Sequence, residues 1–167
     1  MINPAIATVD STHPAGSESS NIQAVLEDTL ITALRQKSGT DERMGDYVKA
    51  IIDYANAGYV NKRPDSRFDY SDFRRLLKPA DFMGHVLVVI EEEYMQQYVG
   101  CCVSPGISVT LRLKSNGNDL DAFAKRNGCS ISRDTEDLFT APPHIPDAPI
   151  GTYATLECKE RDLADSN

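Results

Sequence analysis

The sequence predicts an α+β domain, and three observations carry that prediction. Two stretches in the first third repeat apolar residues every three or four positions, the period of an amphipathic helix. A long apolar run, Pro79 to Val99, is framed by a proline suited to a first helical turn and by Gly100, a natural stop. Two stretches in the second half, 107–114 and 152–159, alternate apolar and polar residues as half-buried strands do. Helices before strands favour α+β over an alternating α/β arrangement. The expected architecture is an N-terminal helical hairpin and a long buried helix packed on a small, mainly antiparallel sheet.

The 167 residues, 41% of them hydrophobic, suffice for one domain with a core. Residues 1–20, rich in Ser, Thr, Pro, Ala and Gly, read as a disordered arm, 21–160 as the single globular domain and 161–167 as a polar tail. From Asn21 to Lys37 the residues Ile22, Val25, Leu26, Leu30, Ala33 and Leu34 mark the first helix, with Ser20 as its cap. Thr40 is placed to cap a second, whose inward set is Met44, Tyr47, Val48, Ile51, Ile52 and Ala55, ending at Gly58. The short connection predicts an antiparallel pair.

Between Tyr59 and Lys78, six basic residues interleave with Tyr59, Phe68, Tyr70 and Phe73, a pattern that suits stacking on phosphate-bearing partners. Asp65, Asp69 and Asp72 neutralise half of that charge, so a surface loop and a short helix capped by Ser71 are expected. In the run that follows, Phe82, Val86, Ile90, Tyr94 and Tyr98 recur every four residues and predict the buried helix. The β-branched cluster Val86, Val88, Val89 and Ile90 offers a competing strand from His85 to Glu92. After the 107–114 strand come a short helix at 120–126, a brief strand at 129–132, a helical turn at 135–139, a proline-rich loop and the closing strand.

Candidate chemistry is sparse. On the expected helix Asp81, His85 and Glu92 share one polar edge and form a candidate metal or acid-base set, with Asp81 four residues before His85 to orient its ring. The set lacks the second histidine of a zinc-protease helix. Asp147 after Pro146, and Glu157 and Lys159, reproduce the bare P-D…E-x-K spacing and in this resemble the PD-(D/E)xK metal-dependent nucleases. The resemblance implies that Asp147 and Glu157 hold a divalent metal while Lys159 positions or deprotonates water. With His85 these are the catalytic candidates. No resident cofactor is expected.

Cys101, Cys102, Cys129 and Cys158 show no paired metal spacing, and free buried thiols are expected. No run reaches the roughly 20 apolar residues of a membrane span, and the N-terminus lacks a secretory pattern, so a cytoplasmic location is expected. Twenty-five acidic against 17 basic residues give a net charge of -8, which disfavours non-specific nucleic-acid binding. The expected function is a small acidic protein-binding or regulatory module, an adaptor, inhibitor or immunity-like protein, whose partner carries a basic surface. A metal-dependent nuclease or other hydrolase, and a nucleic-acid mimic that occupies a DNA-binding protein, are the alternatives.

Overall fold

The computed structural model describes residues 15–95, 103–133, 145, 147–160 and 163. Among the described residues three helices, α1 (Ala15–Leu34), α2 (Tyr47–Asn56) and α3 (Asn118–Arg126), accompany seven strands. The strands are β1 (Ser66–Phe68), β2 (Ser71–Arg75), β3 (Asp81–Phe82), β4 (His85–Glu93), β5 (Gly106–Arg112), β6 (Ser130–Ser132) and β7 (Tyr153–Lys159). They form one antiparallel sheet in the order β1-β2-β4-β5-β7-β6, with β3 also pairing with β4. The α+β class stands, with a sheet far larger than the few strands expected.

The long buried helix is the main correction. Pro79–Val99 instead supplies β3 and β4, because Met83 and Gly84 take positive φ (49° and 77°) and fold the chain into a tight hairpin. The β-branched residues then extend β4 along both β2 and β5. A bulge between Leu87 and Val89 lets Leu87 and Ile90, three residues apart, both join the main core. The stretch expected as a loop and short helix forms β1 and β2, joined at Asp69 and Tyr70, with Ser71 paired to Glu93 rather than capping a helix.

The first helix begins at Ala15, so Ser20 lies inside it, and it ends three residues before Lys37. Thr40 does not start the second. Residues 35–46 form a loop pinned by a Gln36–Arg43 bridge, and Asp46 caps α2 by accepting hydrogen bonds from the Val48 and Lys49 amides at 2.9 and 3.1 Å. Ile51 is buried as expected, whereas Met44, Val48 and Ile52 are 56%, 41% and 50% exposed.

The main core lies between one face of the sheet and the helices. Leu26, Leu30 and Leu34 of α1, Ile51 and Tyr54 of α2 and Leu120 and Phe123 of α3 meet Ile107, Val109, Leu111 and Leu156 of the central strands. The opposite face carries a small apolar group, Phe73, Val89 and Ile145. Along that face lie polar residues that register places in rows: Glu91 beside Ser108 beside Glu157, and Glu93 beside Gly106 beside Lys159. The free-thiol expectation is corrected for two cysteines, since Cys129 and Cys158 are joined by a disulfide. Cys101, Cys102, Gln96, Pro146, His144 and the 135–139 turn lie outside the described residues.

Candidate functional site

The loop before α2 is built around Arg43. Its guanidinium donates to the carbonyls of Leu34 (3.0 Å), Asn127, Gly128 (2.8 Å) and Lys159 (2.9 Å). The last turns of α1 and α3 and the end of β7 thus converge on one cation, which suits the negative ends of two helix dipoles. Gly45 packs so closely on α1 that an added Cβ would stand 3.0 Å from the Ala33 nitrogen. These contacts hold the loop as one wall of a cleft of about 260 Å³.

Asp41, Glu42 and Asp46 line that cleft from the loop and Glu160 from the end of β7, with Arg43, Tyr47 and Cys158 also on its walls. The Tyr47 phenol lies on the wall of this cleft. Burial raises its pKa above the ordinary 10.0, and the charges of Glu92, Glu160, Asp46 and Glu93 push the same way.

Beside this cleft Val48 and Ile52 are exposed one helical turn apart on α2, and Met44, in the loop before the helix, is exposed as well. A groove of about 360 Å³ is lined by Val48, Ile51, Ile52, Ala55 and Lys62, with Arg74 and Glu92 also on its wall. Those two form a largely buried ion pair at 3.1 Å. A carboxylate-bearing pocket and an apolar strip with a charged margin therefore both lie along α2.

The residues singled out from sequence fall elsewhere or are otherwise engaged. Asp81 pairs with Lys114 at 2.6 Å, not with His85. His85 is 2% exposed; its Nδ1 accepts from the Lys114 amide at 3.2 Å, so Nε2 carries the proton and donates to Asp119 at 3.2 Å. Both ring nitrogens are occupied, leaving neither poised for proton transfer. Glu92 faces Arg74, so the proposed polar edge of Asp81, His85 and Glu92 does not exist as a set. Among the described residues, no group of three His, Cys, Asp or Glu side chains is arranged to hold a metal ion.

Glu157 and Lys159 do share a face of β7, but the Lys159 Nζ is committed to Glu91 at 3.1 Å and Glu93 at 3.5 Å. Asp147 is exposed in a turn just after Ile145. Two of the basic residues of 59–78 lie over aromatic rings, Lys78 4.0 Å over Tyr59 of the same segment and Arg67 4.2 Å over Tyr94 beyond it.

Arg43, Asp119 and the Glu91–Glu93 pair were not identified from sequence as partners. Arg43 with Asn127, Gly128 and Lys159, Asp119 with His85, and Glu91 with Lys159 are separated by 34 to 116 residues, and local spacing carries no trace of such pairings. The one available signal was the breadth of the α2 apolar set, wider than a single buried face requires. Comparison with protein-family models, curated protein sequences and solved structures gave no match for this chain.

Proposed function

We propose that this chain is a protein-binding module of the adaptor, inhibitor or immunity type, and that it engages a partner with a basic surface through α2 and the cleft at its start. The observation that carries the reading is the placement of the carboxylate-bearing cleft at the start of α2, next in the chain to the exposed apolar residues Val48 and Ile52 of the helix and Met44 of the loop before it. Apolar anchors beside a charged rim are the usual division of labour at an interface, the anchors limiting dissociation and the charges steering encounter. The net charge of -8 extends that steering beyond the cleft itself.

The test is capture from native lysate at low and high salt, by the wild-type chain and by a Val48→Asp/Ile52→Asp variant, followed by calorimetry with the purified partner. A partner retained by wild type, weakened by salt and bound at least about tenfold more weakly by the variant supports the proposal. If no protein distinguishes the two chains, these residues are not an interface.

A further inference from the structure

We propose that the Cys129–Cys158 disulfide is a redox latch on the acidic cleft, opened by a dithiol reductant and closed by disulfide exchange. This does not rest on the partner reading; it concerns how the wall of the cleft is held. Ser130 pairs with Glu157 in the β6–β7 ladder, which puts Cys129 directly opposite Cys158 in the next register position. Their Cα atoms are 4.4 Å apart, the ordinary spacing of a cross-strand pair, so the strands can keep their pairing when the sulfurs are separate thiols.

The surroundings favour the reduced form. The Arg43 guanidinium donates toward Cys129 Sγ at 3.6 Å, and a neighbouring cation stabilises a thiolate. A disulfide whose reduced form is stabilised in this way is easier to reduce than a purely structural one. The carboxylates Asp41, Glu42, Asp46 and Glu160 line the cleft with Cys158, and Lys159 adjoins it with its ammonium directed to Glu91 and Glu93. The negative charge released by reduction therefore settles on Cys129, beside Arg43.

In the exchange, one thiolate of the reductant attacks a sulfur of the pair and displaces the other. The reductant's second thiol then resolves the mixed disulfide. Two electrons and one proton pass to the pair, leaving Cys158 a thiol and Cys129 a thiolate; the reductant leaves as a disulfide and its other proton goes to solvent. The consequence reaches the cleft because Arg43 also holds the 41–47 wall through the carbonyls of Leu34, Asn127, Gly128 and Lys159. A thiolate at Cys129 competes with those carbonyls for the guanidinium, and the wall loosens.

Dithiothreitol titration of the full chain tests this, with acid trapping, alkylation and peptide-by-peptide mass analysis, alongside hydrogen exchange of both end states. The expected result is reduction of Cys129 and Cys158 in the folded protein, with α2, β4 and β5 still protected and the amides of 43–47 exchanging about tenfold faster. Arg43→Gln should need about tenfold more reductant, one unit of lost thiolate stabilisation, while Arg43→Lys stays close to wild type. Three outcomes overturn the latch: a disulfide that resists reduction until urea unfolds the chain, loss of protection throughout the sheet on reduction, or unchanged exchange at 43–47. Should Arg43→Gln fail to fold, the wild-type titration and exchange decide alone.

Discussion

Replacing Lys159 with methionine probes the polar face of the sheet most directly. The side chain is 2% exposed, and its Nζ lies 3.1 Å from Glu91 Oε1 and 3.5 Å from Glu93 Oε2. Methionine keeps most of the volume and removes the charge, leaving two carboxylates that are 21% and 9% exposed without that cation. Breaking a buried ion pair from one side costs about 3 to 5 kcal/mol. Here the lower end applies, because Ser71 Oγ still donates to Glu91 at 2.7 Å and the Ser104 amide still donates to Glu93 at 2.7 Å.

The expected loss for Lys159→Met is therefore about 3 kcal/mol, read by urea unfolding as a lower midpoint at unchanged slope. Adding Glu91→Gln and Glu93→Gln to that variant should recover most of the loss. The amides still accept from Ser71 and Ser104 but no longer carry unpaired charge. The resulting coupling should exceed about 1.5 kcal/mol. A Lys159→Met protein within about 0.5 kcal/mol of wild type, with the added substitutions strictly additive, would refute the view that these three residues form one electrostatic unit.

Three further outcomes follow from local geometry. Gly106→Ala should destabilise by at least about 2 kcal/mol, because φ is +149° and the new Cβ would stand 2.7 Å from the Cys158 carbonyl oxygen; thermal unfolding reads this directly. Asp46→Ala removes the acceptor of two α2 amides and should cost about 1 kcal/mol by chemical denaturation, with Asp46→Asn closer to wild type. Tyr54 is fully buried, and among the described residues its hydroxyl has no hydrogen-bond partner, so Tyr54→Phe should be neutral or slightly stabilising. Burial raises the Tyr54 pKa well above 10.0, so the folded state holds a proton that the unfolded chain gives up. Its contribution is complete below pH 10 and falls as pH rises beyond it, by up to about 1.4 kcal/mol per pH unit; alkaline unfolding of Tyr54→Phe should show that much less slope.

The strands at 107–112 and 153–159 were legible because apolar and polar residues alternate there with no rival period. Pro79–Val99 was not, for a reason intrinsic to its spacing. Residues 82, 86 and 90 repeat every four positions, which approximates one helical turn, yet three even-numbered positions also lie on one face of a regular strand. Only the β-branched cluster and the Met83–Gly84 turn separated the two readings, and the end signals at Pro79 and Gly100 pointed the other way. The three glutamates at its end, Glu91, Glu92 and Glu93, give no local sign of their partners. In the sheet, pleating sends Glu91 and Glu93 to Lys159 and Glu92 to Arg74, residues supplied by other strands. The chemistry of these carboxylates was visible; the cations that complete it were not, being 68 residues away in one case.

The residues where the sequence pattern and the core disagree are also those on which the proposed function rests. Met44, Val48 and Ile52 belong by spacing to the same apolar set as Ile51 and Ala55, but the sheet accepts only the latter side of α2. Asp46 starts the helix late, and Arg43, clamped to four carbonyls, fixes the preceding loop so that Met44 points away from the core. Leaving such residues in water forgoes about 1.5 to 3 kcal/mol for each large side chain that could have been buried. A polar residue at any of the three positions would avoid the exposure without disturbing the core. Unneeded apolar exposure beside a carboxylate-bearing cleft is accounted for if a basic partner covers it. The prediction that follows is specific. Ile52→Lys should leave the unfolding midpoint within about 0.5 kcal/mol of wild type, as a surface substitution does, while abolishing capture of that partner. Loss of stability in step with loss of binding would instead assign Ile52 to the core.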